Sequence, residues 1–160
     1  MASPALTGTC ACSATTYTST TLPQHLDCCY CLTCQRTSGA PFGPWLGIPV
    51  HALTWSGAEP KSWRPTLDDG NTSISTRLFC GACGSCLSMQ YDFYPHKVHV
   101  AAGTVVEGRD GLPRVGTHIW VKRRPEWYEI PDDGGERWEE FDAEFEELMR
   151  KHLQEKRRQE

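Results

Sequence analysis

The feature that most constrains this chain is the placement of its cysteines. Seven of the nine fall in three motifs: Cys10-Ala11-Cys12, then Cys29-Tyr30-Cys31-Leu32-Thr33-Cys34, then Cys80-Gly81-Ala82-Cys83, with Cys28 abutting the middle run and Cys86 three residues after the last pair. The N-terminal Met1-Ala2-Ser3-Pro4-Ala5-Leu6 has neither the basic start nor the apolar run of a secretory signal. A cytoplasmic chain with reduced thiols is therefore expected, and clustered reduced thiols point to metal rather than disulfides.

Spacing divides the motifs into four ligands and three. Zinc needs sulfurs at about 2.3 Å in a tetrahedron, and two separated pairs supply them by pinning distant segments together. Cys10, Cys12, Cys80 and Cys83 thus read as a closed, structural site. Cys29, Cys31 and Cys34 are one ligand short, the arrangement that leaves room for substrate in catalytic zinc sites. Adjacent residues of an extended chain point to opposite sides, so Cys28 is poorly placed to complete the set. Cys86, His99 or His118 could complete it, which would close the site, and disulfides within the run are the remaining alternative. Two zinc ions per chain are expected, one structural and one catalytic. Three thiolates on one dication carry a net charge of −1, so this metal should acidify water less than histidine-bound zinc does, yet it suits capture of a soft substrate thiol as thiolate. Thiol and carbonyl–sulfur chemistry is favoured over peptide or phosphate hydrolysis.

The rest of the chain reads as mainly β, with antiparallel strands. Residues Thr7 to Leu22 suggest a strand or hairpin. The run from Phe42 to Trp55 suggests a strand interrupted by Pro44 and Pro49 and confined to a turn or edge, since proline cannot donate to a central ladder. Further strands are expected over 73–79, 87–94, 97–105, 117–121 and 127–130, separated by turn signals at Asp68-Asp69-Gly70-Asn71, Pro95 and Gly108 to Gly111. The convincing helix is C-terminal: Trp138, Phe141, Phe145, Leu148, Met149 and His152 recur every three to four residues. Its acids come early and its bases late, as the helix dipole favours. Asp132-Asp133-Gly134-Gly135 offers turn and capping residues before it. Residues 6–133 are thus expected to form a zinc-binding domain and residues 134–160 an amphipathic helix. That helix is expected to pack on the chain's own sheet, with a homodimer through its apolar face as the alternative.

Charge excludes some partners. Acids outnumber bases 20 to 16, and 13 of the acids against 6 of the bases lie from Glu126 onward. Seven thiolates around two dications neutralise the small positive excess of the remainder, so neither half steers toward a phosphate backbone and no nucleic-acid partner is expected. No stretch approaches the roughly 20 apolar residues of a membrane span, so no membrane partner is expected either.

Taken together, Gly8-Thr9-Cys10-Ala11-Cys12, the run Cys29-Tyr30-Cys31-Leu32-Thr33-Cys34-Gln35-Arg36-Thr37-Ser38-Gly39-Ala40-Pro41-Phe42, and Arg77-Leu78-Phe79-Cys80-Gly81-Ala82-Cys83-Gly84 closely resemble the glutathione-dependent formaldehyde-activating enzyme family, also named for centromere protein V. Ala102-Gly103-Thr104, His118-Ile119-Trp120 and Ile130-Pro131-Asp132 fit as well. The resemblance spans Leu6 to Asp133 and leaves out the terminal helix. It implies a β-tent of antiparallel sheets, a structural zinc on Cys10, Cys12, Cys80 and Cys83, and a catalytic zinc on Cys29, Cys31 and Cys34. It also implies carbon–sulfur lyase chemistry like that of S-(hydroxymethyl)glutathione synthase. There a small thiol, glutathione in the family's name-giving reaction, adds to a small carbonyl compound, and a nearby donor protonates the new alkoxide. Arg36, Ser38 and His118 are the candidates for that donor or for substrate binding. The alternative function is a non-catalytic zinc scaffold that binds a protein partner. The sequence departs from the family at Ser13, where a glycine is usual, and at Val105-Val106, which stand where the family has Leu-Asp.

Overall fold

The computed structural model describes residues 3–66 and 72–159, so the turn expected at Asp68-Asp69-Gly70-Asn71 lies outside the described residues. Twelve strands and two α-helices follow in order: β1 Leu6–Thr9, β2 Thr15–Ser19, β3 Leu26–Cys29, α1 Leu32–Ser38, β4 Gly43–Pro49, β5 Leu53–Gly57, β6 Lys61–Trp63, β7 Ser75–Phe79, β8 Cys86–Tyr91, β9 Lys97–Ala101, β10 Val105–Glu107, β11 Val115–Ile119, β12 Glu136–Arg137 and α2 Ala143–Gln159. They form a four-stranded sheet in the order β10-β1-β2-β5 and an eight-stranded sheet in the order β12-β11-β3-β4-β9-β8-β7-β6.

The sheets bury their alternating apolar residues against each other. Leu6, Tyr17 and Val105 from the small sheet meet Leu46, Ile48, Val98 and Val100 from the large one. Each such aliphatic side chain contributes about 1.5–3 kcal/mol on burial. Gly8 lies under the Tyr17 ring, where a Cβ would come within 2.1 Å of it. The other face of the large sheet carries Trp45, Met89 and the sulfurs of Cys29 and Cys34. Near this face Phe141, just before α2, and Phe145 of α2 lie edge-on to Tyr91, at 6.2 and 5.0 Å, with Phe93 5.0 Å from Phe145. The helical stripe is thus turned onto the chain's own sheet.

Several expectations need correction. Most neighbours are antiparallel, but β11 runs parallel to both β3 and β12. β4 is an interior strand between β3 and β9, not an edge; its prolines sit at its second and last positions, where a missing donor interrupts the ladder least. No strand forms over Trp127 to Ile130. Pro125 and Pro131 bracket that run, and the Tyr128 amide closes a turn onto the Pro125 carbonyl (3.1 Å) while its ring packs on Tyr30 and Phe42. Residues 134–142 are not helical: Glu136–Arg137 adds an edge strand, and α2 starts at Ala143 behind Asp142, whose carboxylate accepts from the Phe145 amide (2.9 Å). Strands β3 and β6 and helix α1 were not anticipated.

Candidate metal centres

Two hairpin turns, one from each sheet, build the first cluster. The β1–β2 turn holds Cys10 and Cys12, the β7–β8 turn holds Cys80 and Cys83, and the four sulfurs lie within 4.8 Å of one another. Zinc–sulfur bonds of about 2.3 Å imply tetrahedral sulfur–sulfur edges of about 3.8 Å. The Cys10–Cys12 and Cys12–Cys80 separations are 3.5 and 3.8 Å, so a zinc ion fits. Polar groups favour the thiolate at two of the four positions, while at Cys12 the pull of the Ala14 backbone is outweighed by contacts with Cys10 and Cys83, which push that thiol up to about 11. The Thr15 amide donates to Cys10 Sγ (3.3 Å) and lowers that thiol's pKa, and contacts with Ser85 bring Cys83 down to about 5. Ser85 also joins the two turns, its hydroxyl accepting from the Ala11 amide (3.0 Å) and lying 3.2 Å from Cys83 Sγ. Ser13 sits in the first turn with φ +61°, the left-handed region in which glycine is at ease.

The second cluster forms where β3 runs into α1. Cys29 ends the strand and Cys31 caps the helix, its sulfur accepting from the Cys34 amide (3.4 Å). Gly39, at φ +64°, ends the helix after two turns. The sulfurs of Cys29, Cys31 and Cys34 lie within 4.8 Å of one another, and among the described residues no fourth Cys, His, Asp or Glu donor joins them. Both Cys29 and Cys34 are buried. Sulfur contacts from Cys29 and Cys31, aided by Arg77, hold the Cys34 thiol well below its usual range, while the same crowding pushes Cys29 well above it. Three crowded thiols, two of them buried, cannot all ionise side by side unaided. A divalent cation would let them, so the donor set suits zinc. Cys28 is buried outside this set, and desolvation, with the carboxylates of Asp133 and Asp27, pushes its thiol up to about 12.

Around the three sulfurs stand residues that the motifs did not flag. Arg77 is 4% exposed; its Nη2 donates to Cys34 Sγ (3.3 Å), its guanidinium lies 5.3 Å from the Trp45 ring centre, and its Nε and Nη1 have no hydrogen-bond partner among the described residues. The available signal was alternation: Ser75 and Arg77 both occupy inward positions of β7, and a buried arginine is rare without an anion. Cys86, Tyr91, Ile119 and Trp120 complete the surround. Trp120 takes a left-handed backbone, φ +60°, held by its amide on the Glu140 carbonyl (2.9 Å) and by Phe141 against its ring.

The other sequence candidates lie elsewhere. His118 is 1% exposed; its Nδ1 meets the Tyr30 hydroxyl (3.0 Å) and its Nε2 the Asp133 carboxylate (3.1 Å). With both ring nitrogens engaged, His118 has no vacant nitrogen for a metal, and it does not join the three sulfurs. Ser38 is turned into its own loop, accepting from the Ala40 amide (3.2 Å) and donating to the Phe42 carbonyl (2.9 Å). Arg36 is exposed in the last turn of α1. His99 is buried edge-on to Tyr91, at 5.9 Å, and does not join the sulfurs; burial, reinforced by Lys97, lowers its pKa to about 4.

The fold and its two sulfur clusters define a mainly β protein whose sheets are joined at one cysteine centre and which carries a second, three-sulfur centre. The chain matches the family described as "Glutathione-dependent formaldehyde-activating enzyme" over residues 5–123, and it belongs to that family. No match is found among curated proteins. Among solved structures, the crystal structure of a Rhodobacter sphaeroides protein, a structural-genomics target, is 16% identical. That alignment covers 82% of this chain and 98% of the other, with a TM-score of 0.48. Strand β12 and helix α2 lie beyond the family match. No helix among the described residues is long and apolar enough to cross a membrane.

Proposed function

We propose that the protein is a zinc-dependent enzyme of carbon–sulfur lyase type that joins a small thiol to a small carbonyl compound, resembling S-(hydroxymethyl)glutathione synthase. The observation that carries this reading is the unequal donor count: four sulfurs at one centre, three at the other, and no fourth donor beside the three among the described residues. Cys10, Cys12, Cys80 and Cys83 would hold a structural zinc, and Cys29, Cys31 and Cys34 a catalytic one. When bound there, zinc supplies a Lewis-acidic position that takes up a substrate thiol as thiolate. Arg77 balances the charge of the cluster from the β7 side. Trp45 and Met89 exclude water from its sheet side. Ser38 is hydrogen-bonded within its own loop and His118 is held between Tyr30 and Asp133, so neither is assigned as the proton donor in this reading. The nine free cysteines support a reducing compartment such as the cytoplasm.

Metal analysis and calorimetry test the reading together. The purified, reduced protein is expected to carry two zinc per chain. Cys31→Ser should lose one zinc and all thiol binding while staying folded. Cys83→Ser should unfold, because structural zinc contributes folding energy directly. One zinc per chain in the wild type, or millimolar thiol binding unchanged in Cys31→Ser, would overturn it.

A further inference from the structure

Beside the three-cysteine centre lies a cleft of about 290 Å³ that the proposed reaction does not by itself explain. It is lined by Thr37 of α1, Trp63 of β6, Arg77 and Phe79 of β7, Gly84, and Cys86 of β8. Two of these lining residues also touch the sulfur cluster: Arg77 is bonded to Cys34, and Cys86 packs against the same cluster. The cleft therefore adjoins the position where a thiol would react.

Its chemistry is selective. Two of the six lining residues are aromatic, and Trp63 leaves 46% of its surface exposed, so its ring is open to a ligand in the cleft. The cleft has no carboxylate on its wall to receive an ammonium group. Its one cation, Arg77, turns Nη2 to Cys34 and its guanidinium to the Trp45 ring, and its unpaired Nε and Nη1 are buried rather than open to the cleft. Lys61, next but one to Trp63 along β6, lays its stem against Gly81 of the four-cysteine turn. Glutathione presents two carboxylates and an ammonium, and this wall offers little to recognise them. A ring or short apolar chain, in contrast, would stack on Trp63 and Phe79 and displace water from both.

We propose that this cleft is the subsite for the non-reacting part of the substrate, that Trp63 and Phe79 set its specificity, and that the thiol it takes has an aromatic or apolar body. The inference rests on the thiol-binding reading above and specifies its substrate class.

Calorimetric titration of the zinc-loaded protein with benzyl mercaptan, 2-mercaptoethanol and glutathione tests it, together with Trp63→Ala and its zinc content. Benzyl mercaptan should bind at least about tenfold tighter than 2-mercaptoethanol, roughly the gain from one buried aromatic contact. Trp63→Ala should erase that preference and leave the affinity for 2-mercaptoethanol and the two zinc ions unchanged. If 2-mercaptoethanol binds but benzyl mercaptan gains nothing, or if glutathione binds tighter than both, the cleft assignment is wrong while the thiol reading stands. A preference that survives Trp63→Ala also overturns the assignment. If none of the three thiols binds, the thiol reading itself fails and this inference falls with it.

Discussion

Arg77 Nη2 lies 3.3 Å from the Sγ of Cys34, which makes a guanidinium buried in the large sheet the counter-charge of the three-cysteine centre. Three thiolates and one dication leave a net charge of −1, and Arg77 offsets it where water cannot. Arg77→Met keeps most of the stem and removes the charge. We expect zinc at Cys29, Cys31 and Cys34 to bind about 10–100-fold more weakly, as for other losses of a metal-supporting residue. The zinc at the four-cysteine site should be unaffected. Chelator competition resolves the two sites, and equal retention of both ions would show that Arg77 is not the counter-charge.

Ser13 occupies a left-handed backbone position, φ +61°, in the turn that carries Cys10 and Cys12. For an L-residue that conformation costs about 1–2 kcal/mol. Glycine removes most of this cost but adds about 0.5–1 kcal/mol of unfolded-state entropy. Ser13→Gly should therefore be stabilising, by about 0.5–1 kcal/mol, seen as a higher urea midpoint at unchanged slope. The same position is where the sequence departs from its family's usual glycine, and the backbone angle supplies the physical reason that glycine suits the turn.

The Tyr30 hydroxyl is the partner of His118 Nδ1 at 3.0 Å, deep in the core. Tyr30→Phe leaves that nitrogen unsatisfied and should cost about 1–3 kcal/mol of stability. Because this pair serves packing, the variant should keep two zinc ions and wild-type thiol affinity in calorimetry. A large loss of thiol binding from a folded, zinc-loaded Tyr30→Phe would restore a functional part for His118.

Phe145 ties α2 to the large sheet through Tyr91 and Phe93, both at 5.0 Å, and Phe141 at 4.6 Å. It is only half-buried, so Phe145→Ala should cost about 2 kcal/mol, below the 3–5 kcal/mol of a fully buried phenylalanine. Hydrogen exchange should show faster opening of α2 and little change in the core between the sheets. Uniform acceleration across both would mean that the helix and the sheets unfold as one unit.

What the sequence made legible follows from how local each signal is. The two cysteine groups could be read because Cys-x-Cys and Cys-x-x-Cys fix sulfur directions over two or three residues, and the part of the Trp138–His152 stripe that is helical, Phe145 to His152, because it repeats over successive turns. Helix α1 was hidden by its seven-residue length and by its unusual cap, a cysteine sulfur in place of a hydroxyl or carboxylate. The interior place of β4 was hidden because a proline rule weighs a donor's absence and not its position along the strand. The surroundings of His118 were hidden for a different reason. A histidine near metal motifs looks like a ligand, and its actual partners, Tyr30 and Asp133, come from segments 88 and 15 residues away. Arg77 shows the converse, since the group that completes the three-cysteine centre comes from a strand 43 residues from Cys34.

His99 offers a test in pH. Burial, then Lys97, lowers its pKa from 6.5 to about 4 in the folded protein. The unfolded chain therefore binds a proton that the folded one refuses between those values, and stability must fall as pH drops through that window. Full development of the effect amounts to something on the order of 3 kcal/mol. Thiolate protonation and zinc loss add to acid instability, so the informative quantity is a difference. Zinc-loaded wild type and His99→Gln are compared by urea unfolding at pH 7 and pH 5. The wild type should lose about 1 to 2 kcal/mol more than the variant over that interval. Identical losses would mean that His99 is protonated in the folded protein, with an acceptor for its buried Nδ1.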